Sequence, residues 1–336
     1  MKETAIRPKN QLQNYEKIAD KELGRLFGDE TNLVKINCPA CGIDAQKERF
    51  TAKYNQLYEK CSCGTVYLNP RPDYAAITKF HSESESANYW SEEILKNTEE
   101  ARKDVIWKQR MEYVAEVIYK NFDKDYIFRM LDVGCSIGTS LEVLRKSAPK
   151  GSLEGAELNS RARRICREKG FKVYNSIEGG KIEAESYDIV TMFEVIQQSF
   201  YTDKFLASVC KILKQEGLLI LSFPCIDGFD YFIMGKDHPN FSFPQINFFS
   251  KDGMSELLKK NGFDVTEFTT PGLLDASMAR DYGMTHCEDR FKDCYLMKLL
   301  LGEDGEKNVN VIQDMLRSSG SSGHAFLVAK KAHKIK

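Results

Sequence analysis

From about residue 125 onward, short apolar runs alternate with stretches whose apolar residues recur at helical spacing. Phe128, Met130, Leu131 and Val133 make the first run, and helical spacing begins at Thr139 with Leu141 and Leu144. Residues 153–159 read as a second strand ending in an acid, Glu157. Residues 160–169 predict a helix with Ala162, Ile165 and Cys166 facing inward, and Gly170 is placed to end it. Residues 171–174 predict a third strand and residues 187–193 a fourth. A helix carrying Phe205, Val209, Ile212 and Leu213 follows, then a nearly uniform apolar fifth strand over residues 217–224. Near-continuous apolar strands between amphipathic helices imply a parallel sheet covered on both faces. Ligands of such sheets bind beyond the carboxyl ends of the strands, where Gly134, Glu157 and Phe193 all fall. Residues 262–268 alternate as a sixth strand, and residues 324–330 read as the last.

Between the first strand and its helix lies a turn bearing Gly134 and Gly138. Glycine lets the backbone turn sharply, and the free N–H groups of a helix start point at whatever sits there, so the segment predicts a nucleotide site. The dinucleotide fingerprint G-x-G-x-x-G is not met, because Ser136 stands in the middle of G-x-x-x-G. An acid, Asp132, precedes the first glycine instead. The series Asp132, Gly134, Cys135, Ser136, Gly138 resembles the first motif of class I methyltransferases that use S-adenosylmethionine. Glu157, about twenty residues on, is placed to accept hydrogen bonds from both ribose hydroxyls. Residues 187–196 are similar to the family's fourth-strand stretch ending Glu-Val-Leu-Glu-His, with Gln197 and Gln198 where Glu and His are common.

The resemblance implies an α/β, Rossmann-like, doubly wound sheet of seven strands, the last antiparallel and inserted between the fifth and sixth. It further implies that the turn cradles the amino-acid part of the cofactor, and that Asp132, Gly134, Cys135, Ser136, Gly138, Glu157, Leu158 and Phe193 form the cofactor site. Cys135 itself reads as a small packing residue rather than a nucleophile.

Ten cysteines stand in the chain, and four cluster near its start. Cys38 and Cys41 are three apart and followed by Gly42, and Cys61 and Cys63 come some twenty residues later around one spacer. The set resembles a zinc ribbon with a shortened second knuckle. One reading is a structural Zn²⁺ on Cys38, Cys41, Cys61 and Cys63; the other is a degenerate ribbon held by packing. Four thiolates leave no open position, which argues against a catalytic metal. Residues 64–72, with Phe80-His81 and Tyr89-Trp90, resemble a bacterial methyltransferase subgroup in which a small cysteine module precedes the core.

The expected organisation is a zinc-ribbon-like module over 1–73, a helical cover over 74–124 and a methyltransferase domain over 125–336. A helix from Glu99 to Lys120 is expected to cover the cofactor cleft. Within the last domain, residues 270–323 form a helical insert expected to act as a lid, with 318–323 as a flexible hinge.

The net charge of −1 and pI near 6.6 give no electrostatic footprint for bulk nucleic-acid binding. No apolar run reaches membrane-spanning length, and residues 1–4 carry no apolar leader, so the expected compartment is the cytoplasm. The function expected is methyl transfer to a small-molecule acceptor such as a sugar or glycan precursor. The alternatives are an RNA methyltransferase that grips its substrate with the ribbon, and a cofactor-binding protein without chemistry. His238, in a loop after the fifth strand, and Glu194 are the candidate catalytic groups.

Overall fold

A computed structural model describes residues 5–6, 8–28, 32–44, 46–178, 180–286, 291 and 293–332; the opening residues 1–4 lie outside it. Three antiparallel strands, β1 (Gln46–Thr51), β2 (Leu57–Cys61) and β3 (Val66–Leu68), carry the cysteine module. A helical cover follows. The helix expected over Glu99 to Lys120 is interrupted by a π-helical turn at Lys103–Trp107, before α1 (Lys108–Asn121), and another π turn, Trp90–Leu95, precedes it. A π turn inserts one residue without changing composition, so apolar spacing alone does not reveal it.

The core strands are β4 (Arg129–Val133), β5 (Ser152–Ala156), β6 (Lys172–Tyr174), β7 (Tyr187–Phe193) and β8 (Leu213–Pro224). A short strand β9 (Asn247–Phe248) precedes the last two, β10 (Phe263–Thr269) and β11 (His324–Lys331). The seven-stranded sheet runs β10-β11-β8-β7-β4-β5-β6. Neighbours from β8 to β6 are parallel, and β11 is antiparallel to both β8 and β10. Every residue of β7 is buried, as a central strand covered on both faces requires, whereas edge strand β10 alternates. Helices α2 (Thr139–Ser147), α3 (Ser160–Glu168), α4 (Thr202–Ile212), α5 (Phe229–Met234) and α6 (Lys251–Lys260) complete the core.

The cysteine module is joined to the core by main-chain pairing. β9 adds to β3 antiparallel, Asn247 opposite Tyr67 and Phe248 opposite Val66, so the second sheet runs β9-β3-β2-β1. Tyr58, Phe241, Phe243 and Phe248 fill the space behind it. Ser250 Oγ, which caps α6, also donates to the Cys63 carbonyl at 2.6 Å, and Lys260 Nζ donates to the Cys41 carbonyl at 2.8 Å.

The insert folds as α7 (Asp275–Thr285), α8 (Tyr295–Leu301) and α9 (Gly305–Ser318), packed on Phe229 and Ile233 of α5. The segment 318–323 is not a flexible hinge. Ser318 ends α9, Ser322 is buried, and Ser322 Oγ and Gln313 Nε2 each donate to Asp275 Oδ2 at 2.7 Å. Gly323 N donates to the other Asp275 oxygen. A buried carboxylate needs donors, and the small polar residues that suggested mobility supply them. Among the described residues no helix is long and apolar enough to cross a membrane.

Candidate functional site

The turn after β4 is shaped by left-handed backbone at Gly134 (φ 75°), Ser136 (φ 50°) and Gly138 (φ 80°). A Cβ on Gly134 would lie 2.3 Å from Val195 Cγ2, and one on Gly138 2.6 Å from Cys166 Sγ, so neither position has room for a side chain. Glu157, just past β5, faces this turn. Its two oxygens accept from Ser136 N at 2.9 Å and Asn159 N at 2.8 Å. Each carboxylate oxygen retains a further lone pair.

Asp132 lies beneath the turn and is buried, accepting from Ser140 Oγ at 2.6 Å and Thr191 Oγ1 at 2.8 Å. It therefore ties the start of α2 to β7. Burial, with the nearby charge of Glu157, pushes Asp132 up to about 6 against the pull of its two hydroxyl donors. Burial raises Glu157 as well. Two raised acids at one turn form a site whose field favours a cation, which fits a ligand bearing a sulfonium and an ammonium group.

Leu158, next to Glu157, exposes 40% of its surface. Phe193, the last residue of β7, is buried, its ring meeting Trp107 edge-on at 5.6 Å. Cys135 is buried with its sulfur 3.9 Å from Cys166 Sγ, and the hydrogen bond with Cys166 together with burial raises its thiol. The cover segment is fastened over α2: Thr139 Oγ1 donates to Glu99 at 2.8 Å, Lys169 pairs with Glu99, and Lys103 lies 3.3 Å from Glu142.

Glu194 follows Phe193 directly and has a left-handed backbone (φ 59°), an unusual conformation for a residue with a side chain. Its carboxylate accepts from Ser222 Oγ at 2.8 Å and lies 2.5 Å from His324 Nε2. Arg110 Nη2 is 3.1 Å from the same imidazole nitrogen. Partial burial raises the Glu194 carboxyl, but the charges of His324 and Arg110 and the bonds from His324 and Ser222 outweigh it and hold it down at about 2. His324 was hidden in the sequence as the first residue of a strand. The signal that reveals it is topological: an antiparallel last strand starts at the carboxyl edge of its parallel neighbours.

His238 is placed differently. It is buried and stacked on Tyr231 with ring centroids 3.8 Å apart. Its Nδ1 accepts from Asn240 N at 3.2 Å, and its Nε2 faces Asp230 Oδ2 at 3.0 Å. The expectation that His238 acts as a base meets a ring whose two nitrogens are both engaged in holding its own loop.

The four clustered cysteine sulfurs all lie within 4.8 Å of one another, with Cys38–Cys63 at 3.7 Å and Cys41–Cys61 at 3.5 Å. A tetrahedral ion with Zn–S bonds of about 2.3 Å has S···S edges of about 3.8 Å, so the set fits such an ion. The shortened knuckle closes because Gly64 takes φ 88° and donates to the Cys61 carbonyl.

A family model described as a methyltransferase domain matches residues 87–267, more than half of the 336 residues. The ubiquinone biosynthesis O-methyltransferase of Roseobacter denitrificans is 26% identical over 211 residues, 57% of this chain and 83% of that protein. The mitochondrial protein of the same name from Candida albicans is 34% identical over 108 residues, 29% of this chain and 33% of that protein. Among solved structures, a SAM dependent methyltransferase from Archaeoglobus fulgidus aligns with TM-score 0.43 and 17% identity, over 69% of this chain and 98% of that one. The chain belongs to the class I S-adenosylmethionine-dependent methyltransferases.

Proposed function

We propose that the chain carries the methyl group of S-adenosylmethionine to a small organic acceptor, with a sugar or glycan precursor as the expected class. The observation that carries this reading is the left-handed turn at Gly134, Ser136 and Gly138 facing two acids of raised pKa, Asp132 and Glu157. When bound, the cofactor supplies an electrophilic methyl carbon on a positively charged sulfur. The open turn from Gly134 to Gly138 lets its amino-acid part lie close against the backbone, the N–H groups of Gly134, Cys135, Ser136 and Gly138 being bonded within the protein, and Glu157 takes the ribose hydroxyls. Leu158 and Phe193 flank the nucleoside, and Asp132 contributes charge from below. The helical insert over residues 270–323 serves as the lid over the acceptor. The protein has only to align the acceptor with the methyl carbon, exclude water and remove a proton where the acceptor holds one.

Cys38, Cys41, Cys61 and Cys63 hold a structural Zn²⁺ in this reading. The curated relatives are named as O-methyltransferases of ubiquinone biosynthesis, which supports a small organic acceptor. Transfer of tritiated methyl from S-adenosylmethionine tests the proposal against a small-molecule cell extract and total RNA side by side. Label in the small-molecule fraction is expected. Label in RNA alone would overturn the choice of acceptor, and cofactor binding with no label anywhere would mark a protein without chemistry.

A further inference from the structure

We propose that His324 is the base that removes the proton of a hydroxyl acceptor, with Glu194 and Arg110 as positioning residues. The inference rests on methyl transfer as the function. It starts from which proton sits where. His324 Nε2 meets two opposite demands: Glu194 at 2.5 Å only accepts and needs the hydrogen there, whereas Arg110 Nη2 at 3.1 Å only donates and needs the lone pair. The shorter, charge-assisted contact to Glu194 decides for the hydrogen on Nε2. In the neutral ring Nδ1 then carries a bare lone pair. Among the described residues none hydrogen-bonds that nitrogen, and the His324 side chain keeps 22% of its surface open. His238 offers the contrast: a backbone N–H already occupies its Nδ1.

The position suits the task. Val195, the residue after Glu194, lies against Gly134 of the cofactor turn. His324 pairs with Pro224 at the carboxyl end of β8, two strands across from β4. An acceptor entering on that side stands between the methyl group and the imidazole. Arg110, its guanidinium 5.6 Å over the Trp107 ring, acts through the charge of Glu194, which it helps to hold ionised, and makes no hydrogen bond to a protonated Nε2. The π turn at Lys103–Trp107 sets the register that brings both residues to this edge.

The step balances. The acceptor oxygen forms its bond to the methyl carbon while its O–H proton passes to Nδ1 of His324. The carbon–sulfur bond breaks and its electron pair stays on sulfur, so the sulfonium charge is lost. The imidazolium then releases one proton to water.

Nitrogen-15 NMR of histidine-labelled protein reads the tautomer without any acceptor, the His324 signal being the one lost in His324→Gln. Where the ring is neutral, the proton is expected on Nε2, and Glu194→Gln should mix the tautomers. A proton on Nδ1 in the unmodified protein overturns the proposal. With catechol as hydroxyl probe and tritiated cofactor, His324→Gln should lower turnover on the order of 10²-fold or more. Its affinity for S-adenosylhomocysteine should stay within about threefold of the unmodified protein. Unchanged turnover in that variant also overturns the assignment. Failure of the unmodified protein to bind S-adenosylhomocysteine would instead sink methyl transfer itself.

Discussion

Asp132, buried beneath the proposed cofactor turn, is where a pH dependence of cofactor binding is expected. Its carboxyl is raised to about 6 by burial, with the charge of Glu157 adding to it. An acid raised on folding favours the folded state while protonated, and that contribution is lost as pH rises through the folded value. A cationic ligand has the opposite preference, because it gains most from the ionised acid. Affinity for S-adenosylmethionine should therefore fall several-fold between about pH 7.5 and about pH 5, and Asp132→Asn should flatten the change. Calorimetry at the two pH values measures it, and an affinity that rises toward low pH would contradict the assignment. Asp132 and Glu157 were legible in the sequence because a strand–turn–helix motif fixes their spacing. His324 was not, since its proposed role comes from a strand pairing that spans a hundred residues: His324 lies opposite Pro224.

At the level of elements, the cofactor turn and the cysteine module can each be tested. Gly134 and Gly170 share a positive φ, 75° and 84°, but only Gly134 faces a neighbour, Val195, where a methyl group would go. Gly134→Ala should therefore cost on the order of 1–3 kcal/mol and weaken cofactor binding, while Gly170→Ala bears the backbone strain alone. Equal losses in chemical denaturation would show that crowding by Val195 plays no part. The cysteine module shares a sheet with the core through β9, so its ion should support the whole fold and not the module alone. One zinc per chain is expected by metal analysis, and Cys41→Ser should lower both zinc content and melting temperature. A metal-free protein with an unchanged melting temperature in the variant would favour a ribbon held by packing. Strands and core helices were readable from apolar periodicity. The pairing of β3 with β9 was not, since nothing local marks residues as far apart as Tyr67 and Asn247 as partners. The π turns and the pinned segment 318–323 escaped for a related reason: hydrogen-bond register and a distant buried acid, Asp275, decide them.

Over the whole molecule, the parallel strands bring Gly134, Glu157 and Phe193 to one edge, and antiparallel β11 returns the chain so that His324 reaches the same edge. The cover segment lies over the cofactor side through Glu99 and Lys103, while the insert rests on α5. In the function proposed, cofactor and acceptor then approach from different sides of one carboxyl edge. The account depends on the turn from 134 to 138 and its two acids accepting a cationic nucleoside. Calorimetric titration of the intact chain with S-adenosylmethionine tests this most directly, with Glu157→Ala alongside. The prediction is one bound molecule per chain, with affinity in the variant weakened at least about tenfold by the loss of charged hydrogen bonds. No binding of S-adenosylmethionine or S-adenosylhomocysteine to the intact chain, or identical binding by the variant, would contradict it.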